Sequence, residues 1–467
     1  MNFKKIILRF APSPTGPLHI GNIRILLYNY ILYKKYNGFF ILRIDDTNYK
    51  KTKIKYVKYI FKTLKWLLNL KIKKNNNFLK FKQSKRLKIY NKYIQIMLKK
   101  NYAYYAYDSK KDIKYIKNKY KINNKNFEYN YKTRLFMNNK FNLYNFKKKK
   151  KYVIRYNNIP NKIINFKDLI YGNIKINTKF LNDVILFKSN GYPTYHFASV
   201  IDDYKFNITH VIRGKEWLST TILHILIYKS FNWKLPKFLH ISSILNPLNK
   251  KKKISKSNII TNIPILPIKY NKILGYKELG IFKLSIINYI FNNNNNILSF
   301  KKIINNFNIN YIKKNNIIYN YNKILFYNKL IIKNLSLNKL LKIFIYLLNK
   351  YKIFFYKKII IKKILFLIKN RLYTYKDLLY ESIFFFKRPN IFNFKKNKIY
   401  KYILYNILFL IKKNKINNIF LLKNKNYNKI LRLLITGKFT GIKLLFIINF
   451  FSKKELIKRL LYLKKFL

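Results

Sequence analysis

His19 and Gly21 close a run rich in proline and glycine, A-P-S-P-T-G-P-L-H-I-G-N at residues 11–22, and residues of these types at this spacing suit the holding of a nucleotide. Where a strand ends in a Pro/Gly loop and passes into a helix, backbone N–H groups and the positive end of the helix dipole face an anion. A histidine at the helix start can donate to phosphate oxygens, and a glycine two residues on has no side chain to obstruct a base or ribose. Alone, His-x-Gly at a helix start is better explained by capping or packing. Its context is less ordinary: residues 12–21 hold three of the chain's ten prolines, two of its ten glycines and one of its five histidines. Far downstream stands K-I-S-K-S at residues 253–257, and the two segments in this order point to a nucleotide-handling enzyme.

Carboxylates form the second candidate set. The chain has only 14 Asp and Glu against 100 Lys and Arg, yet Asp45, Asp46, Asp202, Asp203 and Glu216 fall in three short segments beside predicted strand ends. Acids retained in so basic a chain suggest specific work; the alternative is that they cap helices or pair with nearby lysines.

The elements that must position these residues read as strand, loop, helix, strand. An apolar run at 6–10 predicts a buried strand, and apolar residues at Ile20, Ile23, Leu27 and Ile31 predict a helix over 20–36. Gly38 is expected to end that helix, a second strand to run over 39–44, and Asp45-Asp46-Thr47 to cap a helix reaching about residue 70. This is the βαβ unit of a doubly wound parallel sheet. From 83 to 181 the sequence turns rich in Tyr, Asn and Lys, with a five-lysine run at 147–151, and looks like an inserted domain. Strand-like runs at 184–188 and 208–213, the first followed by an Asn190-Gly191 turn, signal that the parallel sheet resumes, with a helix over 219–231 after it. Past residue 311 no strand pattern remains, and helical runs at 338–351, 400–412 and 453–467 make the last third all-helical. The asparagine tract 292–296 is expected to be a loop.

Composition bounds the rest. A chain of 467 residues with 49% hydrophobic residues is globular and long enough for two to four packed domains. The absence of cysteine excludes disulfides, thiol redox chemistry and thiolate-bound metal. A formal charge of +86 suits a polyanionic partner, although the joint enrichment of Lys, Asn, Ile, Tyr and Phe also follows codon drift toward A and T. No uncharged apolar run reaches the length of a membrane span, and the first motif begins too early to leave room for a removable leader, so the expectation is a soluble, cytoplasmic protein.

The loop P-S-P-T-G-P-L-H-I-G resembles the HIGH loop of class I aminoacyl-tRNA synthetases, in the form found in glutamyl-tRNA synthetases of bacterial type. K-I-S-K-S looks like the KMSKS loop of the same family, whose mobile lysines neutralise charge on the departing pyrophosphate. The resemblance covers nearly the whole chain and includes L-R-I-D-D-T at 42–47, Q-S-K-R at 83–86, G-Y-P-T-Y-H-F-A at 191–198, V-I-R-G-K-E-W-L at 211–218 and R-L-L-I-T-G-K-F-T-G at 432–441. The fold it implies is a Rossmann-type α/β sheet split by an inserted domain and followed by an all-helical anticodon-binding region. The corresponding divisions are 1–82 and 183–240 for the two catalytic halves, 83–182 for the acceptor-end-binding insertion, 241–315 for the KMSKS loop and stem-contact region, and 316–467 for the helical domain.

By the same resemblance, Arg9, Ser13, Asp45, Tyr195 and Arg213 line a glutamate pocket. Arg9 and Arg213 read the side-chain carboxylate, which a guanidinium fork pairs with far better than an amide. Asp45 holds the ammonium group, and His19, Gly21, Glu216, Lys253, Ser255 and Lys256 serve ATP, with His19, Gly21, Lys253 and Lys256 as the catalytic set. Trp217 is expected to pack. Magnesium enters with ATP as substrate, and the cysteine-free Y-Y-A-Y-D at 104–108 leaves no zinc site of the kind some members carry there. The partners implied are tRNA(Glu), L-glutamate and ATP, with the protein a monomer and no membrane involved. Two departures stand out: Asp45 replaces the usual Glu, as in glutaminyl-tRNA synthetases, and Ser257 replaces a frequent Arg. The rivals are therefore a glutaminyl enzyme and a non-catalytic tRNA-binding relic. A glutamyl-queuosine tRNA synthetase would end near residue 300.

Overall fold

The computed structural model describes residues 5–48, 50–70, 78–122, 127–137, 151–253, 263–266, 274–354, 357–389, 402, 404–406, 408–409 and 425–464. The chain divides into two compact units, Met1–Tyr276 with Ser299–Asn320, and Lys277–Leu298 with Tyr321–Leu467.

In the first unit the apolar run becomes strand β1 (Ile7–Phe10), the proline-rich loop leads into helix α1 (Ile20–Lys35), and β2 (Phe39–Ile44) returns parallel to β1 with Arg9 opposite Ile41. Ile20, Ile23, Leu27 and Ile31 are all buried, but so are Arg24, Tyr28, Asn29, Tyr30 and Tyr33. A second layer explains this: besides meeting Phe40 of the sheet, Tyr30 stacks on Phe300 with ring centroids 5.9 Å apart, and Tyr28 meets Phe307 at 5.7 Å. Gly38 is not the residue that turns the chain. Asn37 takes the left-handed conformation (φ 47°), and Gly38 is required because a Cβ there would lie 2.2 Å from the Ile6 carbonyl oxygen.

The main sheet continues with β3 (Phe78–Lys82), β6 (Ile163–Asp168), β7 (Gly172–Asn177), β9 (His210–Gly214) and β10 (Lys237–Ile241), in the order β3-β2-β1-β9-β10-β6-β7. All neighbours are parallel except β6 and β7. This is a doubly wound α/β sheet whose strand order reverses between β1 and β9. Strands β4 (Ala103–Ala106), β5 (Val153–Tyr156) and β8 (Ile185–Phe187) form a separate antiparallel sheet. Two expectations are thereby corrected. The run at 184–188 is an edge of this smaller sheet rather than the resumption of the parallel one, and the hairpin β6–β7, inside the stretch read as inserted, belongs to the main sheet.

The helix after β2 spans Ile54–Leu68 and starts at Lys53 with no side-chain cap, so Asp45 and Asp46 do not cap it. Helices Tyr195–Lys205 and Thr221–Ser230 flank β9 in sequence. Beyond β10, a hairpin of β11 (Ile244–Asn246) and β12 (Asn249–Lys253) is joined in parallel by β13 (Ile317–Ile318), so one short strand does occur past residue 311.

The second unit is built of helices joined by loops, with no strand among its described residues. Helices Leu337–Lys350, Lys358–Ile368, Asp377–Phe386, Lys425–Thr436, Leu444–Phe450 and Lys453–Lys464 enclose a core that includes Leu340, Phe344, Leu348, Ile364, Leu365 and Ile447. The predicted run 400–412 lies mostly outside the described residues; Tyr402, Leu404, Tyr405, Asn406, Leu408 and Phe409 within it are helical. The asparagine tract is a loop, as its composition requires, and is pinned by the Tyr327 hydroxyl donating to the carbonyls of Asn292 (2.7 Å) and Asn294 (2.9 Å).

Candidate active site at the strand-order reversal

Open α/β sheets bind ligands where the strand order reverses, at the carboxyl ends of the strands. Here that point lies between Phe10, at the end of β1, and Gly214, at the end of β9. His19 is the N-cap of α1: its Nδ1 accepts from the Gly21 N–H at 3.1 Å, while the Asn22 side chain accepts from the His19 N–H at 3.2 Å. This reciprocal capping leaves the proton of the neutral ring on Nε2 and fixes the ring's direction. A Cβ on Gly21 would lie 2.9 Å from His19 Cε1, so the glycine also admits the histidine ring itself.

A cavity of about 170 Å³ opens beside this helix start, lined by His19, Gly21, Asn22, Gly214, Glu216 and Ser242 among others. Arg24 forms part of its wall, donating through NH2 to Ser242 Oγ at 3.2 Å and through NH1 to the Ser242 carbonyl. Glu216, in a single 3-10 turn after β9, lays its carboxylate against Gly214 so closely that a Cβ there would sit 2.2 Å from Oε2.

Beneath the loop lies a closed network of buried charge. Arg9 donates from Nε and NH2 to the two oxygens of Asp203 at 3.1 and 3.3 Å. Arg43 donates from Nε and NH2 to Asp45 at 2.7 and 3.2 Å, and from NH1 to Asp203 at 2.8 Å. Arg86 and Gln83 donate to Asp202 at 2.8 and 2.9 Å. Three guanidinium groups thus face three carboxylates, and breaking any one pair would strand a buried charge. Burial would lower the Arg43 pKa, but Asp45, Asp203 and Asp202 outweigh it and hold the group charged. Burial pushes Asp45 up to about 6 against the pull of Arg43. Asp46 accepts instead from the Ser84 N–H and hydroxyl at 2.8 and 2.7 Å.

Arg213, at 5% exposure, is different. Its Nε donates to His240 Nε2 at 3.0 Å and its NH2 to Thr221 Oγ1 at 2.8 Å and the Trp217 carbonyl at 3.4 Å; NH1 lies 3.4 Å from His224 Nδ1. Tyr195 stands close enough to favour its charged form. Among the described residues no carboxylate lies within ion-pair distance of it, and burial draws its pKa down. Burial likewise lowers His240, His224 (together with the Arg213 charge) and His196, the last to about 4.

The fold therefore gathers His19, Gly21 and Glu216 about one cavity, and seats Arg9, Asp45 and Arg213 at the ends of adjacent strands β1, β2 and β9. Tyr195 opens its helix, half-buried, with its ring 4.8 Å from that of Trp217. Ser13 is exposed on the loop. Lys253 ends β12. Ser255 and Lys256 lie outside the described residues. Trp217 packs as expected, its ring against Tyr195 and 5.9 Å from that of His196, while its backbone carbonyl accepts from Arg213 and, at 2.9 Å, from Thr221. Sequence reasoning missed Arg24, Arg43, Asp168, His224 and His240. A usable signal was rarity: of five histidines, four stand at this site, His19 by the helix start and His196, His224 and His240 around Arg213.

A doubly wound sheet with a histidine-capped helix start at its reversal point, and Lys253 of the second motif at the end of the next hairpin, has the architecture of a class I synthetase catalytic domain. The chain belongs to the tRNA synthetases of class I for E and Q, whose catalytic-domain model matches residues 5–326. It is 32% identical over 417 residues to the glutamate–tRNA ligase of Flavobacterium psychrophilum, covering 85% of this chain and 83% of that one. It is 34% identical over 412 residues to that of Azobacteroides pseudotrichonymphae, covering 84% and 81%. Among solved structures, it is similar to a glutamate tRNA ligase from Elizabethkingia meningosepticum in complex with its amino acid, at TM-score 0.82 and 30% identity over 98% of this chain and 99% of that one.

Proposed function

We propose that this chain is a glutamate–tRNA ligase that activates L-glutamate with ATP and transfers it to the terminal adenosine of tRNA(Glu). The observation that carries the choice of amino acid is Arg213, a buried guanidinium gripped by neutral acceptors and lacking a carboxylate of its own among the described residues. Such a group gains most from an anionic ligand. An amide in its place would offer one accepting oxygen and an N–H₂ group that cannot accept, and would bring no charge to meet the guanidinium. Arg9, already paired with Asp203, lends field rather than a second open fork.

In this reading ATP occupies the cavity at the start of α1, with His19 Nε2–H, Lys253, Ser255 and Lys256 serving its phosphates, Gly21 and Glu216 the nucleoside, and Mg²⁺ arriving on the nucleotide. Asp45 holds the substrate ammonium, Arg213 its side-chain carboxylate, and Ser13 and Tyr195 complete the pocket. An oxygen of the α-carboxylate attacks the α-phosphorus, the bond to the bridging oxygen breaks, and pyrophosphate leaves. A ribose hydroxyl of the terminal adenosine then attacks the adenylate carbonyl, forming the ester and releasing AMP. No covalent enzyme intermediate is needed, so positioning and electrostatics supply the rate. The insertion 83–182 takes the acceptor end, 241–315 the stem and 316–467 the anticodon. The enzyme works as a monomer in the cytoplasm without zinc; no described helix is long and apolar enough to cross a membrane.

The test is aminoacylation of tRNA(Glu) and tRNA(Gln) with labelled glutamate or glutamine, beside Lys256→Ala. Glutamate should be attached to tRNA(Glu), with a loss on the order of a hundred- to a thousandfold in the variant. Transfer of glutamine would overturn the assignment, and tRNA binding without transfer would mark a relic.

A further inference from the structure

Two arginines of the pocket are wired differently. Arg9 meets Asp203 directly, oxygen for nitrogen, at 3.1 and 3.3 Å. Among the described residues, Arg213 reaches a carboxylate only through an imidazole: its Nε donates to His240 Nε2, and His240 Nδ1 lies 2.7 Å from Asp168 Oδ2. A guanidinium nitrogen can only donate, so His240 Nε2 must accept and the single ring proton sits on Nδ1, directed at Asp168. Both residues are essentially inaccessible, at 0% and 1% exposure. Asp168 is itself immobilised: Oδ1 accepts the N–H groups of Ile170 and Tyr171 at 2.9 Å each, and Oδ2 also accepts the His240 N–H at 3.2 Å. Thr221 ties the arrangement together, its hydroxyl 3.0 Å from His240 Nε2 and 2.8 Å from Arg213 NH2. On the other side, His224 Nδ1 faces Arg213 NH1, and its Nε2 lies 3.0 Å from His196 Nδ1.

We propose that His240, oriented by Asp168, is the positioning residue that makes Arg213 select a side-chain carboxylate over the corresponding amide. The proposal rests on the reading that Arg213 receives that carboxylate. The physical reason lies in the interposed ring. A carboxylate bound directly to Arg213 would satisfy its charge, as Asp203 satisfies Arg9, and an incoming anion would gain little. With the counter-charge one imidazole away, Nε and NH2 are held in direction by neutral acceptors while the guanidinium charge keeps most of its demand for an anion, which NH1 is placed to meet. The Asp168 charge fixes the His240 tautomer, since a ring protonated on Nε2 instead would point a donor at a donor. The pair therefore governs preference through the geometry and residual charge of a group it touches from behind, without contact to substrate.

Two substitutions dissect this ring. His240→Asn keeps a donor near the Nδ1 position for Asp168 but removes the acceptor for Arg213. His240→Gln offers an acceptor near the Nε2 position instead. The ligands to be titrated calorimetrically are the non-hydrolysable adenylate analogues of glutamate and of glutamine, which differ only in the side-chain head group, with KM for ATP and thermal melting followed alongside. In His240→Asn the preference for the glutamate analogue should fall by about ten- to a hundredfold, the worth of one hydrogen bond to a charged group. KM for ATP should stay near its native value, and His240→Gln should keep most of the preference. Thr221→Val, which deletes the bridging hydroxyl, should give a smaller loss of the same kind and guards against a misfolded His240 variant. Native preference in His240→Asn, or equal losses in the Asn and Gln variants, would overturn the positioning role. Arg213→Lys separates the underlying reading: unchanged preference there would overturn the carboxylate site itself, whereas a loss there with none in His240→Asn would overturn the positioning role alone.

Discussion

At the scale of single residues, the pocket works by contrast between charges that are already paired and one that is not. Asp45 carries the clearest consequence. Burial pushes it up to about 6, against Arg43 at 2.7 Å, with Asp202 adding to the rise and Arg9 opposing it. Only the ionised form can hold an ammonium group, so KM for glutamate should fall as pH rises through about 6 and level off above it. Asp45→Asn should raise KM and flatten the profile; the comparison is steady-state kinetics from about pH 5 to 8. The same shift has a stability sign. The folded chain holds this proton more tightly than the unfolded one, so the group's contribution is complete below about pH 4 and is lost as pH rises through about 6.

At the scale of elements, helix ends dominate. The start of α1 is built around His19, and Gly21→Ala tests whether the ring's direction matters. Alanine is the better helix former by about 1 kcal/mol, so melting should hardly change, yet a Cβ 2.9 Å from the ring must displace it. KM for ATP should rise by about tenfold or more, as a charge-assisted hydrogen bond is lost. Helix ends show how a glycine-poor chain turns corners. Asn37, Asn101, Asn207 and Asn232 each follow a helix in the left-handed conformation, where glycine is the usual choice. At Asn207 the next N–H, of Ile208, closes the turn onto the Asp203 carbonyl at 2.8 Å. Asn207→Ala should cost about 1 kcal/mol in denaturant unfolding, and Asn207→Gly should be neutral or slightly stabilising.

At the scale of the whole molecule, the dominant fact is a formal charge of +86. Much of the interior electrostatics does not use it: among the described residues of the first unit, the buried pairs Arg9–Asp203, Arg43–Asp45, Arg43–Asp203 and Arg86–Asp202 are made by arginine, whose planar fork lysine cannot replace. The lysines are left available to a polyanion such as tRNA. Affinity for tRNA should therefore fall steeply with salt, on the order of a thousandfold between about 50 and 200 mM for a protein making six or more phosphate contacts. Filter binding across that range, with tRNA(Glu) and an unrelated tRNA, would check it. Equal affinities at physiological salt would show that the surface charge attracts without reading.

How much of this was legible depended on how far apart the partners stand in the chain. The segment from β1 through α1 to β2 follows from apolar runs, a Pro/Gly loop and a helical spacing, all local, and the structure matches it almost residue for residue. His19, Gly21, Asp45 and Arg213 could be named as candidates because their motifs are local too. The residues of hairpin β6–β7 read as part of the inserted stretch and not as strands of the main sheet, since nothing local says which sheet a strand will join. Asp45 and Asp46 looked like helix caps because the turn before a helix is where caps stand, and only folding brought Arg43 and Ser84 to them. The pairing of Arg9 with Asp203 spans 194 positions and that of His240 with Asp168 spans 72. The sequence by itself determined the elements, the Pro/Gly loop with its histidine-capped helix start and the residue types available to the chemistry, because these depend on short-range pattern. The tertiary structure alone decided which arginine is already neutralised and which is left open, because that depends on the sheet order that sets β1 beside β9 and brings β6 to the flank of β10.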